Sequence, residues 1–158
     1  MRDKRFVAEH KGGPLKKEKH RYLMLWACVC AEHVLPLYID GVDQRLIYAL
    51  KVAEDWRGDN ASVGEARKAA NDVLKLAREL SNPTSIAVAR SIGHAVSTAH
   101  MADHSLGASL YALKAVKNAG KSVEKERIWQ IEHLPSDVRD LVLTAFEAPR
   151  LKKFQNLA

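Results

Sequence analysis

Apolar residues recur along this 158-residue chain three and four positions apart, the spacing of one helix face. Gly12 and Gly13 break whatever precedes them, and Pro14 suits a first helical turn. From there Leu15, Tyr22, Leu23, Trp26, Ala27 and Cys30 form a stripe that predicts a long helix to about His33, ended by Pro36 and Gly41. Asp43 caps a second helix with the stripe Leu46, Ala49, Leu50, Ala53 and Trp56, and Gly58 stops it. Ser62 with Glu65 is a capping box. Val63, Ala66, Ala70, Val73, Ala77 and Leu80 then carry a third helix to the break at "SNPTS".

A fourth helix has the narrow face Ile86, Ala89, Gly93, Val96 and Ala99, and as one straight rod it covers residues 85–104. A fifth runs from about Leu106 to Ala119 and is apolar nearly all round, which predicts a central position. Gly120 ends it, and Ser122 to Leu134 make a sixth with Ile128 and Ile131 turned inward. Pro135 starts a seventh, led by Val138, Leu141, Val142, Ala145 and Phe146 and reaching about Glu147. No stretch alternates long enough to form a strand. The predicted fold class is all-α, a single-domain antiparallel bundle of about seven helices over residues 1–158. The recurrence of "YALK-V" in the second and fifth helices hints at stacked helical hairpins.

Composition agrees, with 47% apolar residues, much of that share alanine, the best helix former. Charge adds something the periodicity does not. The net charge is +6, but residues 1–21 hold eight Lys/Arg against Asp3, Glu9 and Glu18, and residues 145–158 are also basic. The body between is close to neutral. This reads as a solvated basic N-terminal arm, 1–13, and a basic C-terminal tail, 148–158, rather than a basic nucleic-acid-binding face. Cys28 and Cys30 lie about 200° apart on a helix and cannot bond to each other. No apolar run reaches membrane-spanning length, and "MRDKRF" has no signal-peptide core behind it. A cytoplasmic protein with no membrane partner is expected.

The densest chemistry lies in "SIGHAVSTAHMADHS", residues 91–105, where His94, His100, Asp103 and His104 are the candidate binding residues. On a straight helix His94 would lie about 15 Å along the axis from His104, too far for the two to share an ion. His100 and His104 are four apart, the spacing of helical zinc pairs, with Asp103 at the edge. A complete site needs a further ligand, and Cys30 and His33 of the first helix are candidates. The small residues Gly93, Ala95, Ser97, Ala99 and Ala102 favour a different reading. Closely approaching helices would use the imidazoles as hydrogen-bonding struts, with Asp103 or Ser105 capping the fifth helix at a bend over 102–105. No metal, cofactor or catalytic residue is therefore assigned. A metal-dependent enzyme on the His100/His104 face is one alternative, and a nucleic-acid-associated protein using the basic segment is another. The chain shows no Gly-rich phosphate loop and no serine elbow, and Trp26, Trp56 and Trp129 read as core.

The segments "RDKRFVAEHKGGPL", "HRYLMLWACVCAEHVLPLY", "SVGEARKAA", "GHAVSTAHMADHSLGASLYALKAV" and "LPSDVRDLV" resemble a bacterial family of immunity proteins, the small helical group called immunity-five-like. The resemblance runs from Arg2 to about Val142 and is most specific from Gly93 to Val116. It carries no catalytic residue onto His94, His100, Asp103 or His104. It implies a non-enzymatic protein that binds and neutralises a cognate toxin. Inhibitors of nucleases often present an acidic face. Two clusters could supply one: Glu54, Asp55 and Asp59, and Glu124, Glu126, Glu132, Asp137 and Asp140. Small-residue seams are also compatible with a two-fold homodimer.

Overall fold

The computed structural model describes residues 2–41, 43–149, 151 and 152. Among these, seven α-helices follow in order: α1 Lys17–Val34, α2 Gln44–Arg57, α3 Val63–Glu79, α4 Pro83–Ser97, α5 His104–Asn118, α6 Val123–Glu132 and α7 Ser136–Ala145. The described residues form no strand; a single isolated bridge pairs Ala8 with Leu15. The architecture is the all-α bundle that the apolar periodicity predicts.

Local chemistry sets the helix ends. The capping box forms as expected: Ser62 Oγ accepts the Glu65 N–H at 3.0 Å while the Glu65 carboxylate takes the Ser62 N–H. Asp43 accepts the Arg45 N–H and opens α2, and Asn82 does the same for Ser85 in α4. Pro14 is not in a helix. The first turn of α1 begins at Lys17, whose N–H donates to the Glu9 carboxylate at 3.1 Å, so a residue from outside the helix caps it.

The core is one apolar cluster, with Leu23, Met24, Trp26, Val73, Ile92 and Val96 fully or almost fully buried. Trp26 meets Phe146 edge-on, and its indole N–H donates to the Gln130 carbonyl at 2.9 Å. Removing a side chain of that size from such a site costs about 3–5 kcal/mol. The centre of the bundle is α4 rather than α5, since α4 packs against α1, α2, α3 and α5. Small residues make this possible. A Cβ on Gly93 would lie 2.6 Å from Leu74 Cδ2, closer than van der Waals contact allows, so α3 and α4 approach through that gap.

Three further expectations fail. The described part of the segment expected as an arm, 1–13, is not solvated: Phe6 is fully buried, Ala8 is buried, and Arg5 donates to Thr144 Oγ1 of α7 at 2.7 Å. Apolar residues spaced through a charged segment dock it, whatever its net charge. Ile128 is turned outward, 48% exposed, because α6 faces the body with Glu126 and Gln130 instead. Residues 85–104 are not one rod, as the next section describes. Most of the basic tail expected at 148–158 lies outside the described residues.

Candidate functional site

The histidine stretch is a corner. Helix α4 stops at Ser97, a turn occupies residues 98–103, and α5 returns alongside α4 from His104. Thr98 Oγ1 donates back to the His94 carbonyl, and Ser105 Oγ donates to the Ala102 carbonyl at 2.7 Å. Ala99 and Ala102 are buried inside the bend. Ser91 Oγ then staples α4 to α5 through the Ala108 carbonyl at 2.7 Å.

This corner brings together what a straight helix would hold apart. The Nδ1 atoms of His94 and His104 are 2.9 Å apart. His100 joins from the turn, its ring centroid 5.4 Å from that of His104. Tyr111 stacks on His94 at 5.0 Å, and the Arg90 guanidinium lies 5.9 Å from the Tyr111 ring centre. Gly107 is what lets α5 come this close, because a Cβ there would lie 2.6 Å from His94 Nδ1. Tyr111, Arg90 and Gly107 were not singled out from the sequence as partners of the histidines. Their one signal was spacing: 90 is four before 94, and 107 and 111 recur on one face of α5.

The contact between two Nδ1 atoms can hold one proton, so one ring donates and the other accepts, and the geometry disfavours two protonated rings. Electrostatics agree. Burial lowers the His94 pKa to about 4, helped by His104 and Arg90. Burial likewise lowers His100 to about 4, with His104, Arg67 and Lys11 adding to it and Asp103 opposing. His104 is lowered by burial against the pull of Asp103. Asp103 is engaged by Arg2 at 3.4 Å, and Lys11 Nζ donates to the His100 carbonyl at 2.7 Å, so the N-terminal segment straps the corner. A cleft of about 330 Å³ opens beside it, bordered by His94, Met101, Asp103, His104 and Tyr111.

Other candidates are placed elsewhere. His33 does not face the corner; its Nδ1–H donates to the buried Glu126 carboxylate at 2.6 Å, and its ring stacks on Trp129 at 3.5 Å. His133 covers the other side of that indole at 4.0 Å. Cys28 and Cys30 are buried, which pushes the Cys28 thiol up to about 12 and the Cys30 thiol well above its usual value, the reverse of an activated nucleophile. Among the described residues, no three His, Cys, Asp or Glu side chains converge on a point where they could hold a metal ion. Nor does any described helix have the length and apolarity to cross a membrane.

The charged clusters are internal accounts as well. Lys17 and Arg21 both reach Asp59, and Lys51 pairs with Asp55 at 3.1 Å, so the acidic group at 54, 55 and 59 is largely neutralised. Of the second group, Glu126 is buried and Glu124 pairs with Arg127. One surface had no forecast: Ile39, Tyr48 and Ile47 are 70%, 56% and 46% exposed around the start of α2. The first and last of them border a cleft of about 320 Å³ together with Leu35, Tyr38 and Leu46.

The fold places the chain among small all-α helical bundles. Residues 13–137 match the family described as Imm-5 like putative immunity protein, and the chain belongs to that family. The match takes in the whole histidine corner and the exposed start of α2. No curated protein and no solved structure matches the chain.

Proposed function

We propose that this chain neutralises a toxin protein by binding it and carries out no reaction of its own. The family match over residues 13–137 is the observation that carries this reading. The character of the polar clusters supports it. His94 and His104 of the corner are bonded to each other, His20 donates to the buried Thr98 carbonyl at 2.6 Å, and both thiols are buried. These are the contacts of a rigid frame. Within this reading His94 and His104 act as struts between α4 and α5. Asp103 is held by Arg2 and the His100 carbonyl by Lys11, so both belong to the same strapped corner.

The test is co-expression of the toxin encoded by the neighbouring gene, with and without this chain. Restored growth is the expected result. Unchanged killing, with both proteins present and folded, would overturn the proposal.

A further inference from the structure

We infer that the toxin docks on the apolar surface formed by Ile39, Ile47 and Tyr48, and that its contacting surface is apolar at the centre and rimmed by Lys or Arg. The inference rests on the toxin-binding reading above and adds the surface and its complement.

Large exposed apolar side chains scattered singly need no explanation, but a cluster around a cleft does. Of the large hydrophobic side chains exposed among the described residues, three lie here: Ile39 at 70%, Tyr48 at 56% and Ile47 at 46%. Ile39 and Ile47 border a cleft with Leu35, Tyr38 and Leu46, and Tyr48 follows Ile47 on α2. The cleft sets Tyr38 among Leu35, Ile39, Leu46 and Ile47, the composition of an interface centre, where few residues carry most of the binding energy.

The rim has the opposite sign from the chain. The protein has a net charge of +6, yet Asp40, Asp43 and Glu79 bring three carboxylates to this end. Arg45 bridges Asp43 at 3.0 Å and Glu79 at 3.3 Å, which leaves the local balance negative. The field is felt inside the patch: the Tyr38 hydroxyl is pushed up, first by burial and then by Asp43 and Asp40. An apolar centre with an acidic rim is complementary to a protein surface with an apolar centre and a basic rim. A second copy of this chain, basic overall but acidic here, would meet like charge at a two-fold contact through the same patch.

The surface is also held in place before anything binds. The Ile39 N–H donates to Ser85 Oγ of α4 at 3.1 Å, the Tyr38 N–H closes on the Leu35 carbonyl, and Asp43 caps α2. Little ordering cost is left for association.

The test titrates the purified product of the neighbouring toxin gene against the full-length chain and three variants, with melting temperature measured for each. Tyr48→Ala combined with Ile39→Asp is expected to weaken binding about 100-fold or more at an unchanged melting temperature. Asp40→Lys is expected to slow association about tenfold at low salt, with the difference shrinking as salt rises. Ile128→Asp, the same kind of change at an exposed isoleucine of α6, is expected to bind as wild type. Retained affinity in a folded Tyr48/Ile39 double variant would overturn the surface and leave toxin binding standing. No binding by the wild type would overturn both. A doubled mass in light scattering, returned to one chain by the double variant, would assign the patch to self-association and overturn the inference as well.

Discussion

The two ends of α4 handle their side chains in opposite ways. At its C-terminal end polar rings are turned inward: His94 meets His104, Tyr111 stacks on His94, and the segment carrying Arg2 and Lys11 straps the turn. At its N-terminal end, where Ser85 holds Ile39, apolar groups are turned outward instead. Buried polar groups are costly unless paired, so the bonded His94 and His104 rings fix one arrangement of α4 against α5, while His100 Nδ1 is buried without a hydrogen-bond partner. Exposed apolar groups contribute less to the fold than buried ones, and a group of them at one end marks a surface fit for a partner. The residues that look most chemical in the sequence are therefore architectural by geometry, and the ones that look ordinary are those available to a partner.

Acidity should break the histidine end first and with the largest effect. In the folded chain His94 and His100 titrate at about 4, and His104 and His20 are also lowered, whereas an unfolded histidine titrates near 6.5. Between those values the unfolded chain binds more protons, so stability rises with pH. The contribution is complete above about 6.5 and is lost as pH falls toward 4. Arg90, Arg67, Lys11 and Arg2 face the rings and oppose their protonation, and only Asp103 favours it. For His94 the full window is worth about 3 kcal/mol. Urea unfolding at pH 7.5 and 4.5 should show a loss of at least that order. A His94→Gln, His104→Gln double variant should flatten the slope. A wild-type chain equally stable at both values would mean the rings are solvated and not struts.

Gly107→Ala comes next. In the middle of a helix alanine is worth about 1 kcal/mol over glycine. Here the new methyl would sit 2.6 Å from His94 Nδ1 and 3.1 Å from its Cγ, and Tyr111 stacked on that ring limits its retreat. Overpacking costs about 1–3 kcal/mol, so the net effect expected is a loss of up to about 2 kcal/mol. Gly64→Ala in α3, where the nearest atom is Ser62 Oγ at an ordinary 3.7 Å, should be neutral or slightly stabilising. Thermal melts of the pair check whether the corner is packed as tightly as its distances say.

The helices and their caps were legible because the signals are local: the Ser62/Glu65 box, Asp43, Gly58 and the apolar stripes all act within a turn or two. The corner was legible only in part: Asp103 and Ser105 pointed to a bend at 102–105, but the turn already begins at Thr98, and residues 98–103 contain neither glycine nor proline. Length could have revealed it. A continuous rod from Pro83 to Asn118 would run about 54 Å, longer than the roughly 40 Å diameter of a compact chain this size. The chain had to fold back, and Ser105 and Asp103 mark where. The docking of Phe6 was hidden by eight basic neighbours, because net charge says nothing about which apolar groups find a groove. The exposed patch was hidden for a related reason. Ile47 and Tyr48 fall just outside the α2 stripe, and a stripe tells which residues face inward but not what the remainder gather into.

The strap across the corner should matter less. Arg2 and Asp103 are 3.4 Å apart and both partly solvated, so their pairing is worth under about 1 kcal/mol. Arg2→Ala should lower stability by no more than that, and the loss should vanish in high salt. Phe6→Ala in the same segment should cost about 3 kcal/mol, because the segment is held by its apolar residue. Equal effects from the two would show that charge, not burial, docks the arm.

The smallest effect is the most telling for the comparison. Tyr48 is more than half exposed, and α2 turns Leu46, Ala49, Val52, Ala53 and Trp56 inward without it. Truncating it removes little buried area, so Tyr48→Ala should change stability by no more than about 0.5 kcal/mol. Ile47→Ser tests the same point with a polar group on the neighbouring position, and it should be similarly silent. If either substitution instead costs 2 kcal/mol or more, these side chains belong to the core, the two ends of α4 do not differ in kind, and the case for a docking surface at the start of α2 is lost. If both are silent in melting experiments but abolish protection against the toxin, fold and function are separated by single substitutions. No variant of the histidine end can separate them, because there every change in the rings is also a change in the frame.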